Sequence, residues 1–352
     1  MTGVEPEPAR RAMTPRERMT RVWACQKADR VPFVPAIYEH KAWLLGKTPS
    51  EVACSEDLIV EAVRREYETY HPDLLTVGLD IYNVEAEALG GQLGLYPRSS
   101  TVPRIVRPLC GTIAEVRALK GADPEAGGRM PMFLRAAERL HEEFGREVHV
   151  RGAISGPFSL AAELLGFENI LIATKEDTDL VQAALERAEE VVGAYAEAYL
   201  RRGVGVVIFD SRAAPPLCSP DVFAEQLLPF YLVLAARLED AGAEQIPLIL
   251  GGNTTSIAEL LVRTRATQFL CDYGADFAVW RHACAKMNKS FRANLDPRVL
   301  HLGAVSDVIQ MTRALLEKGH DVPGFILGTG VCAYDTPREN ILAVRELVET
   351  YP

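Results

Sequence analysis

The sequence predicts an α/β protein: a closed (β/α)8, or TIM, barrel with one extra helix at its N-terminus. Three observations carry this. Eight short apolar runs recur along the chain, and most are followed by a helical pattern. The runs are hydrophobic without alternation, as in parallel strands covered on both faces. The length, 352 residues, exceeds the usual size of one core, yet barrels of alternating strands and helices reach it as one domain. A doubly wound open sheet is the alternative, and the count of eight favours the barrel.

In chain order, residues 1–13 read as disordered, and Arg16–Lys27 as the extra helix leading into the first strand. The strands are expected at Val31–Tyr38, Asp73–Gly78, Val148–Ser155, Val204–Asp210, Ile246–Leu250, Thr267–Asp272, Lys289–Leu295 and Gly324–Leu327. The clearest helices are Lys175–Arg202, Asp221–Ala241, Ala304–Glu317 and Pro337–Thr350. Gly121–Met130 (GADPEAGGRM) reads as a surface loop. No repeat or low-complexity linker divides the chain, so residues 1–352 are expected to form a single domain.

Composition narrows the partners. A net charge of −10, from 38 basic and 48 acidic residues, argues against nucleic acid or an anionic membrane. No apolar run reaches the ~18 residues of a membrane span. The N-terminal stretch lacks an apolar signal core, and seven cysteines without paired spacing suit a reducing compartment, so a cytoplasmic location is expected.

In such a barrel the chemistry gathers where strands end, at the carboxyl face. Nearly every strand here ends in a carboxylate, amide, hydroxyl or glycine, which surface turns alone do not require. Asp210 directly follows the apolar run VVIF, so its carboxylate is expected at the barrel mouth as an acid/base or positioning group. The alternative is a structural Asp that caps the next segment or pairs with an arginine. Tyr38, Glu39, His40 and Lys41 follow the first strand, and the four carry more weight as a cluster than singly. In LDIYNVEAEALGG an extended backbone would place Asn83, Glu85 and Glu87 on one side; a solvated loop is the competing reading. Cys332 follows Gly-Thr-Gly at the last strand end, where a thiol is either core or pocket lining. LILGGNTTSI (248–257) raises its own question: two glycines and an amide end a buried strand. They either turn the chain into a capped helix or let a ligand approach the backbone.

Several phrases taken together resemble the uroporphyrinogen decarboxylase superfamily: SGPFSLAAELLG (155–166), VIFDS (207–211), NLDP (294–297) and GFILGTGVC…TPREN (324–340). The resemblance runs in order over nearly the whole chain from about Thr14 and implies a (β/α)8 barrel. Its decarboxylase branch is expected to carry an arginine-rich segment after the first strand, where this chain has YEHKAWLLGK, and Gly-His-Gly near the last strand, where Thr329 stands in the middle. GPFSLAAELLG, DIYNVEAEALGG and GNTT are closer to its corrinoid-dependent methyltransferases. In that branch, thiol-methylating members bind zinc through a His-x-Cys pair at the fifth strand end and a later Cys. Ile249 and Gly251 occupy the pair's positions and only Cys332 remains, so no metal is expected; a site built from His40, Glu85 and Cys332 is the alternative.

The resemblance therefore implies methyl transfer between a cobalamin carried by a partner corrinoid protein and a small N- or O-methyl compound or tetrahydrofolate. Asp210 and the Tyr38/His40 pair are assigned to proton transfer. Asn83, Glu85, Ser155, Ser211, Asn253, Asp272 and Asn294 are assigned to binding the substrate, with Cys332 lining the pocket. A homodimer is expected. Decarboxylation of the uroporphyrinogen type, and a non-catalytic corrinoid or tetrapyrrole binder, are the competing functions.

Overall fold

The computed structural model describes residues 12–351. Ten strands run in chain order: β1 (Phe33–Val34), β2 (Leu74–Val77), β3 (Leu93–Gly94), β4 (Arg104–Ile105), β5 (His149–Ser155), β6 (Gly205–Phe209), β7 (Leu248–Ile249), β8 (Gln268–Cys271), β9 (Ser290–Leu295) and β10 (Phe325–Thr329). Eight of them form two parallel half-barrels, ordered β2-β5-β6-β7 and β1-β10-β9-β8. Two seams join the halves. At one, Pro247 bridges to Gln268 and the Thr267 N–H donates to the Ile246 carbonyl at 2.9 Å. At the other, the Asp73 N–H donates to the Phe33 carbonyl at 2.8 Å, and the Asp73 carboxylate accepts the Phe33 N–H at 2.7 Å.

All eight expected strands are present, most trimmed by a residue or two at their ends, and two, β1 and β7, are reduced to two residues each. Pro32 and Pro35 flank β1, and Pro247 precedes β7; a proline has no N–H to donate to a ladder. Pro229 acts similarly in the expected Asp221–Ala241 helix, which becomes Pro220–Val222, a π turn over Phe223–Leu227 and Leu228–Asp240. The N-terminal helix is Pro15–Trp23, started by a Thr14/Glu17 capping box. Its Arg18 is buried and pairs with Asp29 at 2.7 Å and with Asp73 at 2.5 Å, which ties the helix to the first seam. The disorder expected for 1–13 falls mostly on residues outside the described range; within it, the Met13 N–H donates to Asp29 at 2.9 Å.

Two features were not legible in the pattern. β3 and β4 form a small antiparallel ribbon after β2. The segment read as a surface loop, Gly121–Met130, contains Arg129, which turns inward and pairs with Asp80 at 2.7 Å and Glu87 at 2.6 Å.

Candidate functional site

At the carboxyl ends of the strands lies a cavity of about 470 Å³. Its floor is apolar: Ala36, Phe209, Ile249 and Leu270 pack together with Tyr38, and Ile81 and Tyr82 lean on them. The ring edge of Tyr38 meets the Phe209 ring with centroids 5.6 Å apart. Above the floor stand Glu39, Asp80, Asn83, Ser211, Asp272, Arg292 and Asn294. Tyr273 and Val331 form an exposed rim, at 48% and 50% exposure.

The polar wall is ordered around Asp272, at the end of β8. One carboxylate oxygen accepts the Asn294 amide at 2.9 Å and the Tyr273 N–H at 3.0 Å; the other accepts the Gly252 N–H at 2.8 Å. Ser211 accepts the Gly251 N–H at 2.9 Å. The Gly251-Gly252 pair therefore works as two backbone donors that anchor cavity side chains, and Gly252 adopts φ +95°, a conformation that favours glycine. The chain turns here without a side-chain cap from Thr255 or Ser256 on the helix that follows, and Asn253 is exposed, its side chain accepting from the Thr255 N–H and hydroxyl. Asn253 caps the following turn and is not part of the cavity wall.

Glu39 is half-buried beside Tyr38, and its side chain bonds no other described residue; burial holds its carboxyl above the usual range. Burial also pushes the Tyr38 phenol up, so it remains an O–H donor near neutrality. Asp80 is raised to about 6 by burial, opposed by Arg129.

The structure moves several expected site residues away from the cavity. Asp210 is fully buried, and its carboxylate turns back under the Pro157–Leu165 helix. It accepts the Ser159 N–H at 2.7 Å, the Phe158 N–H at 3.1 Å and the Tyr231 hydroxyl at 2.7 Å. The N-cap residue of that helix is Gly156, which has no side chain to cap with, so Asp210 serves from the next strand. A Cβ at Gly156 would lie 2.2 Å from the Asp210 carboxylate. Asp210 thus caps a helix, as the structural alternative has it, but the preceding Pro157–Leu165 helix and not the next segment, and its carboxylate does not face the barrel mouth.

His40 is likewise buried with both ring nitrogens engaged, Nδ1 by the Tyr334 carbonyl at 2.9 Å and Nε2 by the Tyr70 hydroxyl at 2.7 Å. Burial lowers its pKa below the ordinary imidazole value. Glu85 accepts the Ser155 N–H at 2.6 Å and the Ser155 hydroxyl at 3.0 Å, so these two residues hold each other below the face. Burial raises Glu85 to about 7. Asn83 borders the cavity, but its amide is committed to the β3–β4 ribbon, donating to Pro103 and accepting from Ile105. Lys41 is buried against Glu66 at 3.1 Å.

Cys332 is buried behind the wall, 3.5 Å from the Thr329 hydroxyl, and burial pushes its thiol up to about 12. It does not line the cavity. His40, Glu85 and Cys332 each have other partners, and among the described residues no three His, Cys, Asp or Glu side chains cluster to hold a metal. Ile249 sits in the apolar floor.

Of the expected set, the cavity gathers Tyr38, Asn83, Ser211, Asp272 and Asn294. Arg292 and Tyr82 were not expected. Arg292 had a usable signal: it lies two residues before Asn294 in β9, and strand side chains two apart share a face.

A profile of the uroporphyrinogen decarboxylase (URO-D) family matches residues 14–351. The methylcobamide:CoM methyltransferase MtbA of Methanosarcina mazei is 24% identical over 347 residues, spanning 96% of this chain and 98% of that protein. The methylcobamide:CoM methyltransferase MtaA of Methanosarcina barkeri is 33% identical over 239 residues, 64% of this chain and 66% of its own length. A uroporphyrinogen decarboxylase of Nostoc is 25% identical over 332 residues, 91% of this chain and 89% of that protein. Among solved structures, a methyltransferase from Methanosarcina mazei superposes with a TM-score of 0.83 at 22% identity, covering 97% of this chain and all of that one.

Proposed function

This chain belongs to the uroporphyrinogen decarboxylase (URO-D) family, and from that premise we propose that it is a corrinoid-dependent methyltransferase acting on a small methylated compound. One observation carries the choice within the family: the charge balance of the cavity wall. Of the cations near the face, Arg129 is paired with Asp80 and Glu87, and Arg212 is paired with Glu163. Among the described residues lining the cavity, Arg292 is the one cation, beside the carboxylates of Glu39, Asp80 and Asp272. A substrate with eight carboxylates needs a cation or donor for each desolvated anion, and this wall opposes it.

The volume suits a small molecule, which leaves the corrinoid outside on its partner protein. When bound, the corrinoid supplies the cobalt that takes up or delivers the methyl group. The chain's own residues do the rest. Phe209, Ile249 and Leu270 exclude water beneath the substrate, and Asp272 with Asn294 fixes its polar edge. Glu39, whose carboxyl burial raises, is the group beside Tyr38 that relays a proton to a departing nitrogen or oxygen. Tyr38 donates beside it.

The test supplies purified protein with reduced free cobalamin and a panel of methoxy and N-methyl compounds. Absorbance of methylcobalamin that grows only with both protein and methyl compound is expected. A corrinoid spectrum shifted by the protein without methyl transfer would point to a binder, and conversion of uroporphyrinogen to coproporphyrinogen would point to a decarboxylase.

A further inference from the structure

Arg292 is the unexplained residue of this cavity. It lies on β9, inside the barrel, and is only 6% exposed. Its guanidinium forms no ion pair and no hydrogen bond with any described residue, and its Nε is buried without a partner. A buried guanidinium without a bonded counter-charge is less well compensated than one in an ion pair, and a bound anion supplies the missing partner. The other buried arginines among the described residues have partners: Arg18 pairs with Asp29 and Asp73, Arg129 with Asp80 and Glu87, and Arg151 donates to the Val206 carbonyl at 2.9 Å and lies over the Trp23 ring. The surroundings are built to admit Arg292. Gly328 on the neighbouring strand leaves the room, since a Cβ there would lie 2.5 Å from Arg292 Cδ and 2.8 Å from Asn294 Oδ1. The Asn294 Oδ1 atom also lacks a partner, because only its Nδ2 is engaged, by Asp272.

We infer that the methylated substrate carries a single anionic group, a carboxylate or sulfonate, that seats on Arg292 while its apolar body lies on Phe209, Ile249 and Leu270. This rests on the methyltransferase reading only for the word methylated; the anion subsite stands on the geometry. A guanidinium matches a two-oxygen anion through parallel N–H donors. Arg292 is the one cation among the described lining residues, so the wall offers a counter-charge for one anionic group.

Binding is measured by calorimetry on the full chain without any corrinoid, so it succeeds or fails independently of turnover. The probes are 4-methoxybenzoate, 4-methoxybenzenesulfonate and the neutral 4-methoxybenzamide. At least one anion is expected to bind about 10- to 100-fold more tightly than the amide, the worth of a charge-assisted hydrogen bond. Which anion wins distinguishes carboxylate from sulfonate. In Arg292→Met that preference disappears while the amide's affinity stays the same, and Arg292→Lys restores part of it. Arg292→Met should also melt at a higher temperature than wild type, because it removes an unpaired buried charge. Anions bound no better than the amide, no binding by any probe, a preference that survives Arg292→Met, or a lower melting temperature for that variant would each overturn the assignment.

Discussion

The two half-barrels differ in how many of their polar strand ends are left without a partner. In the half formed by β2, β5, β6 and β7, Glu85 is bonded to Ser155, Asn83 to the β3–β4 ribbon, Asp80 to Arg129, and Asp210 to the adjacent helix N-terminus. In the half formed by β1, β10, β9 and β8, Asp272 is bonded on both oxygens, but Arg292 bonds no described residue, Glu39 bonds no residue beyond its own backbone, and Asn294 keeps its oxygen free. His40 and Cys332 belong to the second half but sit behind its wall, each with its own partner. The lesson is that a polar residue at a strand end is not functional by position. What separates the halves is whether neighbouring backbone and side chains have already satisfied it.

The sharpest way to break this comparison is Glu39→Gln. The amide keeps shape but cannot hold the transferred proton, so methyl transfer should fall by about 10²- to 10⁴-fold. Thermal unfolding should be unchanged, since no partner is lost. A variant as fast as wild type would remove Glu39 from the chemistry.

Asp210→Asn should act on stability. The carboxylate accepts from two helix amides and a tyrosine, whereas an asparagine turns an N–H₂ toward one of those donors. A loss of about 3 kcal/mol in denaturant unfolding is expected, as for charge-assisted bonds that leave buried donors unmatched. Unchanged stability would mean that the cap contributes nothing.

The smallest effect concerns pH and Glu85. Its folded pKa of about 7 lies above the ordinary carboxyl value of 4.5, so between these values the folded state binds more protons than the unfolded chain. Stability from this group is therefore full below about 4.5 and is lost as pH rises toward 7. In Glu85→Gln the amide can still accept the Ser155 N–H, and the decline in melting temperature between pH 5 and 8 should become shallower. An identical slope would show that Glu85 does not titrate in that window.

Much of this was legible in the sequence, and the failures have physical causes. Apolar runs without alternation located all eight barrel strands, since both faces of each are covered. Prolines 32, 35 and 247 explain why two strands shrank. Tyr38, Ser211, Asp272 and Asn294 were found because a strand end at the carboxyl face is a position that sequence can count to. Asp210 was misplaced because counting gives the position of a Cα and not the direction of its side chain. Gly156-Pro157, a helix start without a capping side chain, was the available hint that a cap had to come from elsewhere. Arg129 joins Asp80 across 49 positions of sequence, a pairing that no local pattern encodes.

The central claim is that the open half performs the reaction and the closed half supports it. The most direct test is the methyl-transfer rate of Asp210→Asn per folded molecule, with the folded fraction read by circular dichroism at the assay temperature. Asp210 was the strongest catalytic candidate in the sequence and is a helix cap in the structure. The account predicts a rate per folded molecule close to wild type. A fully folded Asp210→Asn that loses about 10²-fold or more, the usual worth of a positioned acid or base, would contradict it and return the chemistry to the closed half.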